Sequence, residues 1–590
     1  MKRFIIILAC IWAQCAEAAV VTPDKAARYA GRFMGMSELP VPEKSSAQMA
    51  AGRDGEQDDA YYVYNNPDGG WVIIAADDRI NPVLGYSDKG SFSLENMPDN
   101  LKWWMEGLAG TVEELRASGA EASDAARAAW RSLRSDPVTT GSEQKVLETA
   151  KWNQRWPYNE MCPIVAGENT RSLTGCVATA MGIIMRYNRW PERGKGLTGG
   201  YVTEMYKTYI PSYYLDNHFY DWDNMPLTDG NKAGWTDDQI REVSQLLYDC
   251  GVSVGMDYSY KYGSVAFEGK LPVVMNEKFS YSDDIQLIFR SAYSLDEWFA
   301  VMKKEIDSER LVLYCGGGDN GGHAFVCDGY DTQDSRLHIN WGWGSKFDGF
   351  YTLDLKINDE RYFPLDQTAI IGIVPDTCHV EMPDGNFVYN YILNNKFGLV
   401  PVNHQDMKEG LPVNFIVGYF FNTSSEKIKL NFKVCLMGES GNVRQEGWNC
   451  SISFPAYTYE GYLYDTTTES TVLEVTPELT DCFRLFVEDK NGNWVPMPAN
   501  FESFPDNDGI VCGVTPDPVI ILPADSNAGQ EIELKLTNGY VPVKSVSWSV
   551  NGKSLDSPRV ILEQGKNVIR ANVDYMDGSE GTIRATVTAK

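Results

Sequence analysis

Residues 175–188 read Gly175-Cys176-Val177-Ala178-Thr179-Ala180-Met181-Gly182-Ile183-Ile184-Met185-Arg186-Tyr187-Asn188. A polar, glycine-containing approach gives way at Cys176 to small and apolar side chains, and this change predicts the first turn of a helix. The free amides and partial positive charge of a helix N-terminus favour a thiolate, so they lower the pKa of a cysteine placed there. We therefore predict that Cys176 is a nucleophile and that a base lies close to it.

The base is sought among five histidines: His218, His323, His338, His379 and His404. His323 follows a run of glycines at residues 316–318 and 321–322 and precedes an apolar stretch at residues 324–330. We expect the glycine run to be a loop that lets backbone approach a substrate, and the following strand to fix the imidazole. A second strand at residues 337–341 completes a predicted hairpin.

Several blocks of sequence, in this order, resemble the streptopain family of papain-like cysteine proteases. They are Trp-Asn-Gln-Arg-Trp-Pro-Tyr-Asn at 152–159, Met-Cys-Pro at 161–163, Gly-Cys-Val-Ala-Thr-Ala at 175–180, Gly-His-Ala-Phe-Val-Cys-Asp-Gly-Tyr at 322–330, Asn-Trp-Gly-Trp-Gly at 340–344 and Asp-Gly-Phe-Tyr at 348–351. The resemblance covers about residues 150–375, and about residues 60–93 resemble the propeptide of that family. The last third of the chain lies outside it.

The resemblance implies an endopeptidase in which Cys176 attacks the peptide carbonyl and His323 moves the proton. It also implies that Gln154 and the Cys176 amide donate hydrogen bonds to the oxyanion. Asn340 and Trp341 are adjacent on a strand, so only one of them faces His323. Papain-like enzymes in general use an asparagine, whereas the streptopain resemblance points to the tryptophan; we expect Trp341 at the site, with Asn340 as the second candidate.

The fold class expected is an α+β papain-like catalytic domain preceded by an α+β pro-domain and followed by all-β sandwich modules of immunoglobulin-like type. The pro-domain is expected to contain a hairpin with its turn at residues 66–70 and a helical stretch at residues 101–133, and to inhibit the enzyme until the polar linker at residues 134–143 is cut. The expected domains are 1–18, a signal peptide; 19–140, the inhibitory pro-domain; 141–376, the protease; 377–514, a β-sandwich; and 515–590, an immunoglobulin-like β-sandwich.

The first residues predict export. Lys2 and Arg3 precede an apolar stretch at residues 4–12, and small residues at 16–18 suit cleavage after Ala18. Cys15 lacks the small residue that usually precedes a lipidated cysteine, so we expect a secreted, periplasmic or cell-surface protein without a membrane span. Export permits disulfides without requiring them, and whether Cys315 and Cys327 pair is left open.

Other classes of function are disfavoured. No His-Glu-x-x-His or paired Cys-x-x-Cys occurs, so we expect no metal and no organic cofactor. No Gly-Lys-Ser/Thr follows the glycine run, and a net charge of −29 opposes binding to nucleic acid. We expect His338 to be a strand residue without chemistry and His218 to be a loop residue near the substrate groove at most.

The expected partners are protein or peptide substrates, the chain's own pro-domain as intramolecular inhibitor, and a surface ligand of the C-terminal modules. The resemblance further implies an apolar pocket for the second residue before the scissile bond. Two alternatives stay open. A Cys-His pair of this kind also catalyses acyl transfer to amines, and a surface adhesin would carry a vestigial protease domain.

Overall fold

The fold is that of a computed structural model of the whole sequence. The structure describes residues 20–38, 40–43, 59–95, 97–118, 122, 124–135, 143–165, 169–290, 293–318, 321–352, 356–357, 360–361, 366–380, 388–390, 399–401, 407–422, 427–455, 458–465, 471–489, 492–497, 511–515, 517–523, 526–541, 543–555, 557–575 and 579–590. The predicted signal peptide at residues 1–18 lies outside them.

The chain divides into two compact units. The first consists of residues 1–96, 108–141 and 354–362, and the second of residues 97–107, 142–353 and 363–590.

The helices are α1 Pro23–Phe33, α2 Asp99–Ser118, α3 Asp124–Ser135, α4 Cys176–Asn188, α5 Gly230–Ala233, α6 Asp237–Ser253, α7 Leu271–Phe279 and α8 Leu295–Asp307. Short 3-10 helices occupy Leu215–Asn217, Trp222–Asn224, Glu268–Lys270 and Gln333–Ser335. Where the sequence predicted one helical stretch at residues 101–133, the structure has two helices, α2 and α3.

The strands up to residue 371 are β1 Pro42–Glu43, β2 Tyr61–Asn65, β3 Trp71–Ala75, β4 Val83–Ser87, β5 Gln144–Val146, β6 Tyr201–Val202, β7 Tyr209–Ile210, β8 Gln286–Phe289, β9 Val312–Gly318, β10 Gly321–Asp331, β11 Arg336–Asn340, β12 Gly349–Tyr351, β13 Lys356–Ile357, β14 Glu360–Arg361 and β15 Asp366–Ile371.

The first unit contains the predicted hairpin. Strands β2 and β3 pair antiparallel, and the Asn66 and Gly70 backbones close the turn with a hydrogen bond of 2.9 Å from the Asn66 N–H to the Gly70 carbonyl. Gly69 and Gly70 both have positive φ angles, a conformation that glycine adopts without steric cost. The hairpin prediction is confirmed because turn chemistry and strand pattern agree.

A buried carboxylate fastens the first unit. Asp77 is fully buried, and its oxygens accept hydrogen bonds of 2.7 and 2.6 Å from the Arg79 guanidinium. The Arg116 Nε atom lies 3.3 Å from the same carboxylate. Such a paired, hydrogen-bonded charge is the form in which a buried carboxylate is tolerated.

The second unit is built on an antiparallel sheet in the order β12-β11-β10-β9-β15-β8, and β5 pairs with the far end of β10. Strands β10 and β11 form the predicted hairpin, in which Val326 faces Asn340. The expectation of a glycine loop is wrong for most of its length, because Gly316, Gly317 and Gly318 pair with β10 as part of β9. Glycine lacks a side chain but keeps its N–H and C=O, so it can take part in a ladder.

Helix α4 packs closely on α6. A Cβ atom at Gly182 would overlap the Leu247 side chain, so glycine allows the helices to approach. The side chains from Val177 to Met185 are buried. Helix α6 begins with a capping box, in which the Gln239 N–H donates to Thr236 Oγ1 over 3.3 Å and the Thr236 N–H to Gln239 Oε1 over 2.9 Å.

Beyond residue 376 the described elements are strands. They are β16 Val388–Asn390, β17 Leu399–Pro401, β18 Pro412–Val413, β19 Phe415–Asn422, β20 Ile428–Met437, β21 Val443–Phe454, β22 Thr458–Asp465, β23 Thr471–Val472, β24 Cys482–Glu488, β25 Trp494–Pro496, β26 Val511–Gly513, β27 Ile520–Ile521, β28 Glu531–Glu533, β29 Lys535–Leu536, β30 Val543–Val550, β31 Lys553–Ser554, β32 Arg559–Ile561, β33 Gly565–Tyr575 and β34 Glu580–Ala589.

These strands bury two separate apolar clusters. The first includes Phe432 and Leu485, and the second includes Trp548 and Ile569. Tyr540 belongs to the first cluster although its neighbours in sequence belong to the second. The Gly513 N–H donates to the Gly539 carbonyl over 2.9 Å, so residues 539–540 attach directly to the first cluster's strands.

Two further expectations fall partly outside the described residues. Helix α3 extends through Ser135, so the first residues of the predicted linker at 134–143 are helical; residues 136–142 are outside the described ranges. Among the helices that the structure describes, none has both the length and the apolar character needed to cross a membrane.

Candidate active site

The position before Cys176 requires glycine. Gly175 has a φ of 89° and precedes the first residue of helix α4. A Cβ atom here would lie 2.6 Å from Met256 Sδ and 3.0 Å from the Ser264 carbonyl oxygen. Both the positive φ and the close approach exclude a side chain, so the chain turns sharply into the helix and presents Cys176 at its start.

The Cys176 thiol is half-buried and surrounded by backbone amides. Burial raises its pKa, whereas hydrogen bonds from the N–H groups of Ala324, Val177 and Cys176 itself favour the thiolate and lower the pKa. The net direction is upward, which corrects the expectation from the helix N-terminus alone. A thiol of this kind needs a base to become a nucleophile.

His323 lies in strand β10, on which helix α4 packs, directly before Ala324, whose amide favours the Cys176 thiolate. Its side chain is half-buried, and across the ladder it faces Gly316 of β9. Gly316 has no side chain, so none projects from the position directly opposite the imidazole. The structure therefore brings the segments of Cys176 and His323 together.

Trp341 and Asn340 lie on opposite faces of the sheet. Phe325 follows His323 by two residues and shares its face, and the Phe325 ring centroid lies 4.7 Å from that of Trp341. Trp341 is 1 % exposed and packs edge-to-face on Tyr351 at 5.2 Å. The geometry thus puts Trp341 on the face of His323.

Asn340 is fully buried and is engaged elsewhere. Its Nδ2 atom donates to Thr149 Oγ1 and to the Ala150 carbonyl, each over 3.0 Å, and its Oδ1 atom accepts from the Gly342 N–H over 3.0 Å. These bonds anchor the end of β11. They do not involve the imidazole of His323.

Gln154 lies beside the approach to Cys176. Its backbone carbonyl accepts a hydrogen bond of 3.2 Å from the Thr174 N–H, two residues before Cys176. The residue is 4 % exposed, and its side-chain amide makes no hydrogen bond to any residue that the structure describes. A side-chain amide to which the described residues give no hydrogen bond is suited to donate to a substrate oxygen.

A buried charge network on the Asn340 face was not predicted from the sequence. The Asp328 carboxylate is fully buried and lies 2.5 Å from His338 Nδ1. It also accepts a hydrogen bond of 2.6 Å from Thr149 Oγ1. Burial alone would raise the pKa of Asp328, but His338 and Lys151 hold it below its usual range. His338, expected to be a strand residue without chemistry, is the partner of this carboxylate.

His218 has a comparable partner. Its Nδ1 atom lies 2.8 Å from the buried carboxylate of Asp249, which also accepts from the hydroxyls of Tyr213 and Tyr220, each over 2.8 Å. The hydrogen bond to Asp249 raises the pKa of His218. The sequence placed His218 in a loop but gave no indication of this carboxylate, which is 31 residues away.

Cys315 and Cys327 are free thiols. In the register of β9 and β10, Cys315 faces Ala324 and Cys327 faces Val312, so the two cysteines are not opposite each other.

Among the described residues, Asp283, Asp284 and His379 have potential metal-ligand atoms within 4.8 Å of one another. Asp284 accepts hydrogen bonds of 2.8 Å from Ser282 Oγ and 2.9 Å from the Val380 N–H. These bonds explain why the three side chains lie close together without a metal ion.

Two family models match the chain. The model of the Peptidase C10 family matches residues 152–351, and that of the Spi protease inhibitor matches residues 18–112. The first range contains Gln154, Cys176, His323 and Trp341. The second matches the region where an inhibitory pro-domain was expected.

Relatives in sequence are cysteine proteases. The chain is 33% identical over 337 residues to streptopain of Streptococcus pyogenes, covering 53% of this chain and 80% of streptopain. It is 32% identical over 380 residues to the thiol protease/hemagglutinin PrtT of Porphyromonas gingivalis, covering 61% of this chain and 42% of PrtT, so it spans less than half the length of that relative.

Among solved structures, a mutant fragment of Prevotella intermedia prointerpain A is 26% identical and covers 55% of this chain and 98% of the fragment, with a TM-score of 0.43. Active wild-type interpain A from the same organism is 30% identical and covers 39% of this chain and 95% of that chain, with a TM-score of 0.35.

Proposed function

Because the chain belongs to the peptidase C10 family of cysteine peptidases, we propose that it is a secreted endopeptidase, made as a zymogen, that hydrolyses protein substrates through Cys176 and His323. One observation carries the proposal: helix α4, which begins at Cys176, packs on strand β10, which carries His323, and the amide of the next residue, Ala324, favours the Cys176 thiolate. The nucleophile and its base then come from two elements that pack together.

The proposed reaction begins with proton transfer from the Cys176 thiol to His323. The sulfur attacks the peptide carbonyl, a thioester acyl-enzyme forms, and the imidazolium returns the proton to the departing amine. Water then attacks the thioester with His323 as base, releasing the acid and restoring the thiol. The raised pKa of Cys176 supports this order, because a thiol that is mostly protonated depends on its base.

Trp341 is proposed to cover the imidazole, because its ring packs on Phe325 on the face of His323. Asn340 is the weaker candidate, since its amide is satisfied by Thr149, Ala150 and Gly342. A Trp341→Ala variant should shift the pH profile of hydrolysis. An Asn340→Ala variant should lower the free energy of unfolding and leave the pH profile unchanged. If Asn340→Ala shifted the pH profile and Trp341→Ala only lowered stability, Asn340 would be the residue that orients the imidazole.

Gln154 is proposed to donate to the tetrahedral oxyanion together with the Cys176 amide. Gln154→Ala should lower kcat at least about 100-fold with little change in KM, because the donor is needed mainly in the transition state. Steady-state kinetics on a peptide substrate would measure this. A rise in KM at constant kcat would instead assign Gln154 to substrate binding.

The N-terminal region is proposed to inhibit the enzyme until cleavage near residues 134–143, and its match to a protease-inhibitor model supports this. The proposed domains are 19–140, 141–376, 377–514 and 515–590, with the last two as β-sandwich modules and the final one immunoglobulin-like. Their strand content supports this assignment.

We further propose that residues 1–18 direct export of the protein. Recovery of a secreted protein that begins near residue 19 would support this.

The test is incubation of the purified chain and its Cys176→Ala variant with casein under reducing conditions. Only the wild type should cleave casein and itself, and sequencing of the new N-termini should place activation between residues 134 and 143. A mature N-terminus beyond Trp152 would contradict the zymogen proposal, because Gln154 would lose its support.

The same experiment tests the two alternative functions. Amine conjugates without hydrolysis would indicate acyl transfer. Inactivity of both proteins after removal of the N-terminal region would favour a binding protein.

A further inference from the structure

The side chain of Asp348 closes the loop that carries Trp341. The ladder between β11 and β12 ends where Ile339 faces Gly349, and the loop that joins the two strands lies beyond this pair. Asp348 Oδ1 accepts a hydrogen bond of 3.2 Å from the Trp341 N–H. A backbone N–H beyond the end of a ladder needs another acceptor, and this carboxylate supplies it.

Asp348 is also paired with a positive charge. Its side chain is 8% exposed, and its Oδ2 atom lies 3.5 Å from the Nζ atom of Lys151. Burial raises the pKa of Asp348, and the Lys151 ammonium group acts in the opposite direction. Lys151 therefore favours the ionised carboxylate, which accepts a stronger hydrogen bond from the Trp341 N–H than a neutral group would.

The ion pair joins the loop of Trp341 to the segment that leads to Gln154. Lys151 lies three residues before Gln154, so Asp348 reaches that segment at its start. A second contact joins the same two pieces of chain, because the Gly344 N–H donates to the Trp152 carbonyl over 2.8 Å. Trp152 is fully buried, so the loop is attached at two points to a part of the chain that is itself packed in the core.

The same loop lies against helix α4. Gly342 has a φ of 73°, and a Cβ atom there would lie 3.1 Å from the Cγ2 atom of Thr179, which follows Cys176 by three residues on the helix. The Trp341 ring packs on Phe325, on the face of the sheet that carries His323. A shift of this loop would therefore move Trp341 relative to both Cys176 and His323.

We propose that Asp348 is a positioning residue of the protease, which fixes the backbone of Trp341 so that the indole ring covers the imidazole of His323. The proposal rests on the proposed function of Cys176 and His323 and deepens it by naming a residue on which the reaction depends through Trp341. The Asp348 carboxylate is buried and already bound to Trp341 and Lys151. Its effect should therefore appear in kcat and not in KM.

The experiment measures hydrolysis of a peptide substrate by the activated enzyme, with kcat expressed per active site. Active sites are counted by titration with a peptide that carries an alkylating group, so protein without a formed site is not included. Asp348→Ala should lower kcat about tenfold and leave KM within about twofold, since a displacement of about 1 Å at the reacting groups costs up to about 100-fold. Asp348→Asn keeps an oxygen that can accept from the Trp341 N–H, so it should lose less.

Asp481→Ala is the matched control. Asp481 lies among the C-terminal strands, directly before β24, and is 2% exposed. It accepts a hydrogen bond of 2.7 Å from the Glu478 N–H and forms an ion pair with Arg444, so its removal costs the same kinds of contact as removal of Asp348. The control should keep the wild-type kcat and KM per active site.

The decisive comparison is made in a Trp341→Ala background. If Asp348 acts through Trp341, adding Asp348→Ala to Trp341→Ala should lower kcat by less than about twofold, because the ring that it positions is already absent. A residue that only stabilises the fold would instead give losses that multiply.

Three results would overturn the positioning role: an unchanged kcat in Asp348→Ala, a loss that lies in KM, or a full tenfold loss in the Trp341→Ala background. If Asp348→Ala yields no titratable site, Asp348→Asn is judged by the same three criteria. Failure of the proposed function looks different, because the wild type would then hydrolyse no peptide. If Trp341→Ala hydrolyses as fast as the wild type, the role of Asp348 falls while hydrolysis through Cys176 stands.

Discussion

At the scale of single residues, the carboxylate of Asp328 stabilises the strand that carries His323. It is fully buried behind the sheet and is held by His338 at 2.5 Å and by Thr149 at 2.6 Å. Lys151, whose ammonium group lies 3.5 Å from Asp348, contributes further positive charge to the same network. Removing the Asp328 charge takes the carboxylate partner away from His338 and Thr149 and leaves Lys151 with Asp348 alone.

Asp328→Asn should lower the free energy of unfolding of the catalytic region by about 3 kcal/mol at neutral pH. Removing one member of a buried pair leaves the other member buried without its charged partner. The urea midpoint for loss of peptide hydrolysis would measure this. Asp223→Asn, which breaks the exposed ion pair with Arg189, is the control and should move the midpoint little.

The same substitution has a defined pH dependence. Because the pKa of Asp328 is lower in the folded chain than in the unfolded chain, its contribution is complete above about pH 4, the usual pKa of aspartate, and is lost as the pH falls through the folded value. The wild type and Asp328→Asn should converge in acid. A constant difference across that range would contradict the assignment.

How far the sequence predicts the site depends on whether a residue's role is local. Cys176, His323, Gln154 and Trp341 each stand in a short motif, so all four could be nominated before the fold was seen. Asp328 could not, because its partners His338 and Thr149 are brought to it only by strand register and by a segment distant in sequence.

At the scale of elements, the start of helix α4 depends on one backbone conformation. Gly175→Ala should reduce kcat/KM by about 100-fold, because a displacement of about 1 Å at the nucleophile has that effect. The added methyl group would press on Met256 and on the Ser264 carbonyl. Kinetics on a peptide substrate, with active-site titration to count reactive thiols, measure the loss.

The matched control is Gly199→Ala. Gly199 also has a positive φ, 78°, but nothing lies within 4 Å of the added Cβ. It therefore tests backbone strain without the contact. Equal losses in the two variants would show that strain alone, rather than displacement of Cys176, explains the effect.

Hairpins and helices were predictable where turn residues and hydrophobic pattern agree, as in β2 and β3. The glycine run before His323 was not, because glycine at a turn and glycine in a ladder look alike in sequence. Only the pairing of Gly316 with His323 shows that the run is largely strand. The split between α2 and α3 was missed for a related reason, since their compositions are continuous.

At the scale of the whole molecule, the full chain has a net charge of −29, and the excess of acidic residues extends beyond the N-terminal region, so the activated enzyme also attracts a basic substrate. Raising the ionic strength should lower kcat/KM for a basic protein substrate, because screening weakens long-range attraction. Hydrolysis of a small uncharged peptide should stay unchanged under the same conditions, which controls for effects of salt on the enzyme. An equal loss for both substrates would exclude steering by charge.

Shifts in composition predicted an order of regions along the chain, but they did not predict the way the C-terminal strands join. The sequence places a border near residue 515, whereas Tyr540 packs in the cluster formed before that border. The local sequence pattern around Tyr540 does not show which apolar cluster its side chain joins.

The attachment of Gly539 and Tyr540 to the earlier strands links the two apolar clusters at a second point besides the continuous chain. A mechanical load pulling on the last strands would act on the hydrogen bond between Gly513 and Gly539 and on the buried Tyr540 ring. The same hydrogen bond and the same buried ring would therefore resist a force that separates the second cluster from the first.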